Sequence, residues 1–312
     1  MMYNILQIGS FPDELQARID KAFQCHAPES VASDAGLRSR IEGIITRSNI
    51  VISEELISTL PHLKVISTAG VGYDLISVKF ANDRGIIVTN TPGVLDAAVC
   101  ELAVCIMLGL IRKLPAADRF VREGKWRTQA FPMATSLSGK AVGIVGLGRI
   151  GQGIASRLSP FGVDLLYSGS LRPQFPYSHF PDLRSLASAA DILFVCVPGG
   201  AATRKLIDAS VLEALGPEGF IINISRGTVV DESALIQALK AGKIKGAGLD
   251  VFNDEPDINP EFLTLPNIVL TPHLGSATQE TREAMLRLAL DNLQAVLSGA
   301  SALTPVYDLK SR

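Results

Sequence analysis

The chain has 312 residues, which at about 150 residues per domain corresponds to two domains. Lys and Arg total 29 against 31 Asp and Glu, and the net charge of −2 excludes the basic excess that nucleic-acid binding requires. Hydrophobic residues make up 47% and charged residues 19%, which excludes a disordered chain and leaves ample material for two hydrophobic cores.

The ends and the cysteines bear on where the protein resides. Residues 1–4 lack the basic region of a secretory signal, and the most apolar window, 97–111, is interrupted by Glu101 and too short for a bilayer. The cysteines form neither a CxxC pair nor a metal-like pattern with histidine, so we expect free thiols buried among apolar neighbours. The sequence therefore predicts a cytoplasmic protein with no membrane, nucleic-acid or metal partner. The four cysteines are Cys25, Cys100, Cys105 and Cys196.

Short apolar runs typical of strands alternate with amphipathic stretches typical of helices along the whole chain. Because these runs are almost continuously apolar, they favour parallel strands covered on both faces, and the alternation favours doubly wound α/β domains. The predicted strands are 3–8, 43–46, 63–67, 86–89, 141–145, 164–167, 192–197, 220–224, 246–251 and 267–271. The predicted helices of the first third are 13–23, 54–60 and 75–82.

Two long helices define the predicted domain boundaries. Residues 94–114 read as an apolar helix that bridges two domains. The last helix begins with a capping-box pattern at Ser276 and stops at Gly299. Because a helix after the final strand can cross back to the first domain, we assign 1–95 with 277–312 to one domain and 96–276 to the other.

A glycine-rich loop predicts a dinucleotide site. The pattern Gly146-Leu-Gly148-Arg149-Ile150-Gly151 directly follows the predicted strand 141–145, and the next strand begins at the spacing of a βαβ unit. Its glycines permit a tight turn, close approach of a pyrophosphate and close helix–strand packing, and the helix N-terminus supplies N–H donors. A purely structural glycine-rich turn is the alternative.

The end of the second strand of this unit predicts the cofactor. NAD-selective sites carry an acidic residue there, whereas this chain reads Ser168-Gly169-Ser170-Leu171-Arg172. Asp164 lies at the opposite end of the strand. Small hydroxyls and a cation favour a 2′-phosphate, so we expect NADPH to be preferred over NADH; the alternative is that Arg172 is only a solvated loop charge.

Three functional side chains follow successive predicted strands. Arg226, Glu255 and His273 each lie beyond the carboxyl end of a parallel strand, which is the side where such sheets bind ligands. Each residue alone has an ordinary structural explanation. Together they fit ketone reduction, because arginine can bind a substrate carboxylate and polarise the carbonyl, histidine can transfer a proton, and a carboxylate can hold the histidine ring.

These motifs resemble the D-isomer-specific 2-hydroxyacid dehydrogenases, most closely the glyoxylate/hydroxypyruvate and hydroxyphenylpyruvate reductases, over nearly the whole chain. The landmarks are Thr68-Ala-Gly-Val-Gly-Tyr-Asp74, Asn90-Thr-Pro-Gly-Val-Leu95, Gly146–Gly151, Asn223-Ile-Ser-Arg-Gly-Thr228, Gly248-Leu-Asp-Val-Phe252 and Pro272-His-Leu-Gly-Ser276.

The resemblance implies further roles. It implies a flavodoxin-like substrate domain, a Rossmann cofactor domain and a homodimer formed through the cofactor domain by the arm 94–127. It makes Arg226, Glu255 and His273 the catalytic trio, with Arg226 also binding substrate. The remaining implied contacts are Val71 and Gly72 N–H groups on the substrate carboxylate, Ile224 and Asp250 near the nicotinamide, and Pro198 near the adenine.

The predicted function is NADPH-dependent reduction of small 2-keto acids, such as glyoxylate, hydroxypyruvate or phenylpyruvate-type acids, to D-2-hydroxy acids. One alternative is an NAD-linked D-2-hydroxyacid or D-3-phosphoglycerate dehydrogenase, which the missing acidic residue after Tyr167 disfavours. Another is a non-catalytic corepressor-like binding module on the same scaffold, which the absence of a basic patch or disordered tail disfavours.

Overall fold

The structure of the protein is a computed structural model in which residues 2–307 are described. The chain divides into two compact units, which we call unit 1 (Met1–Leu95 with Thr278–Arg312) and unit 2 (Asp96–Ala277). Each unit contains one sheet. The division of labour between a substrate-binding and a cofactor-binding domain stays a prediction at this point.

The elements alternate along the chain as expected for α/β units. The strands are β1 (Asn4–Gln7), β2 (Gln24–His26), β3 (Gly43–Arg47), β4 (Val65–Ala69), β5 (Ile87–Thr89), β6 (Ala141–Val145), β7 (Asp164–Ser168), β8 (Ser178–Phe180), β9 (Ile192–Val195), β10 (Phe220–Asn223), β11 (Gly246–Leu249), β12 (Ile268–Leu270) and β13 (Pro305–Val306). The helices are α1 (Asp13–Ala22), α2 (Pro28–Ser33), α3 (Ala35–Arg38), α4 (Glu54–Ser58), α5 (Val78–Asn82), α6 (Asp96–Ile111), α7 (Leu114–Arg122), α8 (Arg149–Leu158), α9 (Leu183–Ala189), α10 (Ala209–Leu215), α11 (Glu232–Lys240) and α12 (Gln279–Leu297).

Unit 1 is built on a sheet with the strand order β13-β5-β4-β3-β1-β2, in which only β13 is antiparallel to its neighbour. Its five parallel strands follow the flavodoxin-like order 2-1-3-4-5. Neighbouring residues in a strand point to opposite faces, so Ile44 and Ile45 enter two different core clusters, and Leu293 of α12 belongs to the second. Helices therefore cover both faces, which explains the continuous apolar runs of the sequence.

Unit 2 is built on seven parallel strands in the order β12-β11-β10-β9-β6-β7-β8. This is the Rossmann order with one added strand. The chain leaves β6 toward β7 on one side and returns to β9 on the other, and ligands bind such sheets at the carboxyl ends beside this switch point. The predicted fold class, two doubly wound α/β units with parallel sheets, is confirmed.

Several local predictions are wrong for identifiable reasons. Strands β2, β8 and β13 were not predicted, because they are short edge strands with few buried side chains and so carry a weak hydrophobic pattern. The predicted helix 94–114 is α6, which ends at Ile111 because Lys113 adopts a left-handed conformation at φ +56°, and α7 follows from Leu114 with Pro115 in its first turn.

The start of α12 also differs from the prediction. Its N-cap is Thr278, whose side chain accepts the Thr281 N–H, instead of Ser276. Ser276 lies in a turn closed by a hydrogen bond from Ala277 N–H to Leu274 C=O, which prevents it from starting the helix.

The expectation that all cysteines are buried is wrong for Cys105, which is exposed on α6, although all four thiols are free. Among residues 2–307, no helix combines the length and apolar character needed to cross a bilayer.

Candidate active site

The glycine loop of unit 2 has the geometry of a dinucleotide site. Gly146 adopts φ +93°, a left-handed conformation that side chains disfavour, and a Cβ at Gly151 would lie 2.3 Å from the Gly146 carbonyl oxygen. A Cβ at Gly148 would meet no atom within 4 Å, so the backbone there is open to close approach. Gly148 caps α8 without a side-chain hydrogen bond, and the N–H groups of the first turn are available to a pyrophosphate. The loop therefore fits the phosphate part of a dinucleotide.

The two other predicted residues of this loop contact α6. Arg149 Nε lies 3.1 Å from Asp96 Oδ2, and the Ile150 carbonyl accepts a hydrogen bond from the Cys100 thiol at 3.3 Å. Asp96 partly neutralises Arg149, whose side chain is 60% exposed. These contacts hold α8 against α6, and a role for Arg149 toward a phosphate stays a prediction.

The side chains of Tyr167, which is buried, and His179, which is half-buried, hold the loop after β7 by hydrogen bonds to its backbone. The Tyr167 hydroxyl accepts the Arg172 N–H at 2.9 Å, and a ring nitrogen of His179 bonds the Gly169 carbonyl at 2.9 Å. Ser168, the last residue of β7, is only 5% exposed, whereas Ser170 and Arg172 are exposed. Of the four residues predicted to read the ribose phosphate, Ser170 and Arg172 therefore present accessible polar side chains.

Pro198 and Ile224 lie at the same edge of the sheet. Pro198 follows β9, and its carbonyl accepts the Thr203 hydroxyl at 2.6 Å, which closes the next loop. Ile224 follows β10 and is 8% exposed. The structure brings both residues to the edge that carries the glycine loop, and their contacts with adenine and nicotinamide stay predictions.

A buried asparagine shapes the turn that carries Arg226. Asn223, 1% exposed, donates from Nδ2 to the Arg226 carbonyl at 3.0 Å and accepts the Ser225 N–H and hydroxyl through Oδ1. A Cβ at Gly227 would lie 2.0 Å from the carbonyl carbon of Phe252, so only glycine permits this approach. The turn of Arg226 is thereby packed directly against the loop that leads to Glu255.

His273 and Glu255 form a hydrogen-bonded pair. His273 Nδ1 lies 2.7 Å from Glu255 Oε2, and Glu255 Oε1 accepts the Phe252 N–H at 2.9 Å. Burial by itself raises the pKa of Glu255, but the hydrogen bonds from His273 and Phe252 and the charges of His273 and Arg226 outweigh it and hold the pKa below its usual value. Because an ionised carboxylate only accepts, Nδ1 carries the proton, which leaves Nε2 for proton transfer to a substrate.

Asp250 fixes the backbone around His273. Its carboxylate, 1% exposed, accepts the Thr271 hydroxyl at 2.6 Å and the N–H groups of Leu274 and Gly275 at 2.7 and 2.8 Å. Its carbonyl accepts the His273 N–H at 3.0 Å. Burial raises the pKa of Asp250 although these bonds oppose the shift. The contacts stabilise the left-handed conformation of His273, φ +53°, and a contact with nicotinamide stays a prediction.

Unit 1 presents a pair of backbone N–H groups after β4. The Gly70 carbonyl accepts the Thr91 N–H at 2.9 Å, and the Val71 carbonyl accepts Asn90 Nδ2 at 2.8 Å. In a trans peptide the N–H points away from the carbonyl, so these bonds direct the N–H groups of Val71 and Gly72 away from residues 90–91. Within residues 2–307, neither N–H donates to a backbone carbonyl, and successive N–H groups of this kind bind anions.

Three polar residues that shape these sites had no predicted role. Asn90 directly follows β5 and Asn223 is the last residue of β10, and this position at the end of a strand was the available signal. Glu232 accepts the Asn253 N–H at 2.8 Å and so holds the loop before Glu255. Burial, reinforced by the charges of Asp254 and Glu255, raises the pKa of Glu232. Its position gave no sequence signal, because the first residue of a helix is commonly acidic.

Comparisons with known proteins identify the family of this chain. Residues 104–275 match the family model described as D-isomer specific 2-hydroxyacid dehydrogenase, NAD binding domain. The chain is 43% identical to the 2-ketogluconate reductase of Gluconobacter oxydans, covering 97% of this chain and 98% of that protein. It is also 43% identical to a glyoxylate/hydroxypyruvate reductase of Arabidopsis thaliana, with 94% of each chain covered.

A solved structure shows the same similarity in three dimensions. The NADPH-dependent glyoxylate/hydroxypyruvate reductase of Sinorhizobium meliloti, in complex with NADP and malonate, superposes with a TM-score of 0.91 at 42% identity, covering 98% of this chain and 97% of that one. The fold and the glycine loop define a nicotinamide-dependent oxidoreductase. The chain belongs to the D-isomer specific 2-hydroxyacid dehydrogenase family, as its sequence motifs predicted.

Proposed function

We propose that the protein is an NADPH-dependent reductase of small 2-keto acids, with glyoxylate and hydroxypyruvate as the leading substrates and D-2-hydroxy acids as products. The observation that carries the proposal is the pairing of His273 with Glu255 at the sheet edge that also bears the glycine loop. The family membership and the reductases that this chain resembles support the same assignment.

The residues of the chain divide the work of ketone reduction. NADPH supplies the hydride when bound. Arg226 binds the substrate carboxylate and polarises the adjacent carbonyl, while His273 Nε2 gives the proton to the carbonyl oxygen. Glu255 holds the His273 ring and balances its charge, and the N–H groups of Val71 and Gly72 bind the carboxylate.

The cofactor preference rests on the loop after β7. No acidic side chain stands at 168–172 to repel a 2′-phosphate, and the exposed Ser170 and Arg172 can donate hydrogen bonds to it. The Sinorhizobium meliloti relative is described as NADPH-dependent and is solved with NADP. NADPH is therefore the proposed cofactor, bound at Gly146, Gly148 and Gly151 through the backbone.

The direct test is a panel of initial rates with the purified protein. Glyoxylate, hydroxypyruvate, phenylpyruvate and 2-ketogluconate are each compared with NADPH and with NADH, and 3-phosphoglycerate is assayed with NAD. We expect the highest kcat/KM with NADPH and a two- or three-carbon keto acid. Turnover restricted to NAD and 3-phosphoglycerate would instead identify the NAD-linked alternative, and cofactor binding without turnover on any substrate would identify a binding module.

We further propose a homodimer formed through α6 and α7, in the cytoplasm. Helix α7 has no buried residue, and Leu114, Val121 and Trp126 expose 62%, 54% and 71% of their surface. A second copy of the chain would cover this apolar arm. Light scattering after size exclusion should give twice the chain mass, and Val121→Asp should shift it toward the monomer.

A further inference from the structure

A chain of hydrogen bonds runs through unit 1 from α12 to the peptide that carries the Gly72 N–H. It begins at Asn292, whose side chain is fully buried. Asn292 Nδ2 donates to the Leu288 carbonyl and to the Thr304 hydroxyl, both at 2.8 Å. Its Oδ1 accepts the N–H groups of Leu303 and Thr304, both at 3.0 Å. Three of these four hydrogen bonds fix the segment before β13 to α12, and the fourth lies within the helix itself.

Thr304 in turn fixes Asn90. The Thr304 hydroxyl donates to the Asn90 carbonyl at 2.6 Å, and the Asn90 N–H faces the Thr304 carbonyl at 3.4 Å. These contacts extend the antiparallel pairing of β13 with β5 by one residue, since Pro305 pairs with Thr89. Asn90 is 8% exposed, so its backbone and side chain are held in a nearly water-free setting.

The Asn90 side chain then determines how one peptide is oriented. Its Nδ2 donates to the Val71 carbonyl at 2.8 Å, and the Val71 carbonyl and the Gly72 N–H belong to the same planar peptide. Holding the oxygen fixes the direction of the N–H. The preceding peptide is held in the same way by the Thr91 N–H on the Gly70 carbonyl. Two consecutive residues, 90 and 91, thus aim two consecutive N–H groups.

We propose that Asn90 is a positioning residue for carboxylate recognition, supported by Thr304 and Asn292. It acts through the Val71–Gly72 peptide, and the inference rests on the proposed function because that peptide is the proposed carboxylate site. Without the Asn90 amide, the Val71 carbonyl loses its donor and the peptide can rotate. The kcat/KM should therefore fall for substrates that present a carboxylate and stay nearly the same for a neutral carbonyl compound of similar shape.

The first experiment compares an acid with its ester. Initial rates are measured with glyoxylate and with methyl glyoxylate for the wild type and for Asn90→Ala. We expect Asn90→Ala to lower kcat/KM for glyoxylate by about tenfold or more, mainly through KM, which is the weakening expected when a hydrogen bond to a charged group is lost. The value for the ester should change by less than about threefold, within the effect of one neutral hydrogen bond. An equal loss for both compounds overturns the proposal.

The second experiment moves the change away from the substrate. Thr304→Val removes the hydroxyl that holds the Asn90 carbonyl, and we expect the same selective loss for glyoxylate, smaller than for Asn90→Ala. Thr304→Ser keeps a hydroxyl and should restore the wild-type ratio of kcat/KM for glyoxylate to kcat/KM for methyl glyoxylate. If Thr304→Val and Thr304→Ser give the same ratio, Thr304 does not support Asn90 and this part of the proposal is wrong.

The matched control is a second buried hydroxyl that also ties the sheet of unit 1 to α12. Ser67 donates to the Ala289 carbonyl at 2.9 Å and is fully buried, but its bond does not lead to Val71. Ser67→Ala should lower the melting temperature as much as Thr304→Val and leave the KM for glyoxylate unchanged. A raised KM in Ser67→Ala would show that loosening the unit alone explains the effect.

Failure of this inference can be told apart from failure of the proposed function. Oxalate, a planar dicarboxylate, is titrated calorimetrically into the NADP complex of each variant. If the wild type reduces no keto acid but binds oxalate, and Asn90→Ala weakens that binding about tenfold, the positioning role holds and the proposed substrates are wrong. If wild type and Asn90→Ala bind oxalate equally, the positioning role is wrong whatever the activity.

Discussion

The carboxyl edges of the two sheets carry different kinds of functional group. Unit 2 presents charged side chains after β10, β11 and β12, and these are Arg226, Glu255 and His273. Unit 1 presents two backbone N–H groups after β4, at Val71 and Gly72. In the proposed function, the side chains of unit 2 supply the chemistry and the main chain of unit 1 binds the substrate carboxylate.

The two edges are also stabilised differently. In unit 2, the buried carboxylate of Asp250 holds the turn of His273 with three hydrogen bonds. In unit 1, neutral groups at residues 90 and 91 hold the carbonyls of Gly70 and Val71. Replacing Arg226, Glu255 or His273 should therefore impair the chemical step directly. In unit 1, only substitutions that move the backbone at Val71 and Gly72 should weaken substrate binding.

The largest expected effect is at His273. His273→Gln removes the group that transfers the proton and should lower kcat by about 100- to 10,000-fold, the usual range for loss of a general acid. The measurement is the steady-state rate with saturating NADPH and keto acid. NADPH affinity, followed by fluorescence titration, should stay unchanged, and near-normal turnover in His273→Gln would exclude the proton-donor role.

Glu255→Gln is the companion variant for the same pair. The pKa of Glu255 lies below its usual value, so the carboxylate stays ionised over the working range and holds the His273 ring through Nδ1. Glu255→Gln should lower kcat/KM and should also remove the part of its fall at acid pH that comes from protonation of this carboxylate. An acid limb of the pH profile that matches the wild type would show that the charge of Glu255 is not required.

The second effect in size concerns cofactor recognition by side chains of unit 2. Ser170→Asp places a carboxylate on the exposed loop after β7, where it should repel the 2′-phosphate, and Arg172→Ala removes a cation there. We expect the wild type to favour NADPH over NADH by at least about tenfold in kcat/KM, since one charge-assisted contact is worth about 1.5–3 kcal/mol. Ser170→Asp should reverse much of that preference, and Arg172→Ala should reduce it. A wild type that prefers NADH contradicts this assignment.

The third effect concerns the backbone site of unit 1. A Cβ at Gly70 would lie 2.5 Å from both Cβ and Oγ of Ser48, so Gly70→Ala must displace either Ser48 or the backbone that leads from β4 to Val71. We expect the KM for the keto acid to rise about tenfold with little change in NADPH affinity. Adding Ser48→Gly removes both clashing atoms and should restore the KM. A double variant as impaired as Gly70→Ala would show that the clash is not the cause.

The central strands of the two sheets were predicted better from the sequence than the edge strands. Ala141–Val145 is a strand as predicted, because a strand buried on both faces carries an unbroken apolar run. Gln24–His26 and Ser178–Phe180 carry no such run, since edge strands are partly exposed and polar side chains suffice there. The start of α12 was misplaced because Ser276 and Thr278 are both acceptable caps, and only the turn bound to Asp250 decides between them.

The candidate site was predictable where side chains carry the chemistry. Arg226, Glu255 and His273 follow strands and have distinctive functional groups, and the structure pairs two of them. The Val71 and Gly72 N–H groups came only from the family resemblance, because every residue except proline has an N–H and sequence does not show its direction. The supports at Asn90 and Glu232 depend on contacts between distant segments, whereas Asn223 bonds within its own turn and was signalled only by its position at the end of a strand.

The smallest expected effect tests whether the charged supports of unit 2 cost stability. Burial, reinforced by the charges of Asp254 and Glu255, raises the pKa of Glu232 in the folded state. A carboxyl group whose folded pKa is raised destabilises the fold above the unfolded pKa, about 4.3, and has no effect at lower pH. Glu232→Gln keeps an acceptor for the Asn253 N–H and loses the charge, so its melting temperature should exceed that of the wild type by a few degrees at pH 7.

The neighbouring Asp231 provides the matched control with the opposite sign. Its hydrogen bond with Lys205 is the main cause that lowers the pKa of Asp231, so its charge stabilises the fold above the unfolded pKa, and this contribution is lost as pH falls through the folded pKa. Asp231→Asn keeps the helix cap on Ala234 and should lower the melting temperature at pH 7. The Glu232→Gln difference should vanish near pH 3, whereas the Asp231→Asn difference should start to shrink only as pH falls below the unfolded pKa of about 3.9. A Glu232→Gln variant that is less stable at pH 7 would show that the hydrogen bond of the carboxylate to Asn253 outweighs its burial.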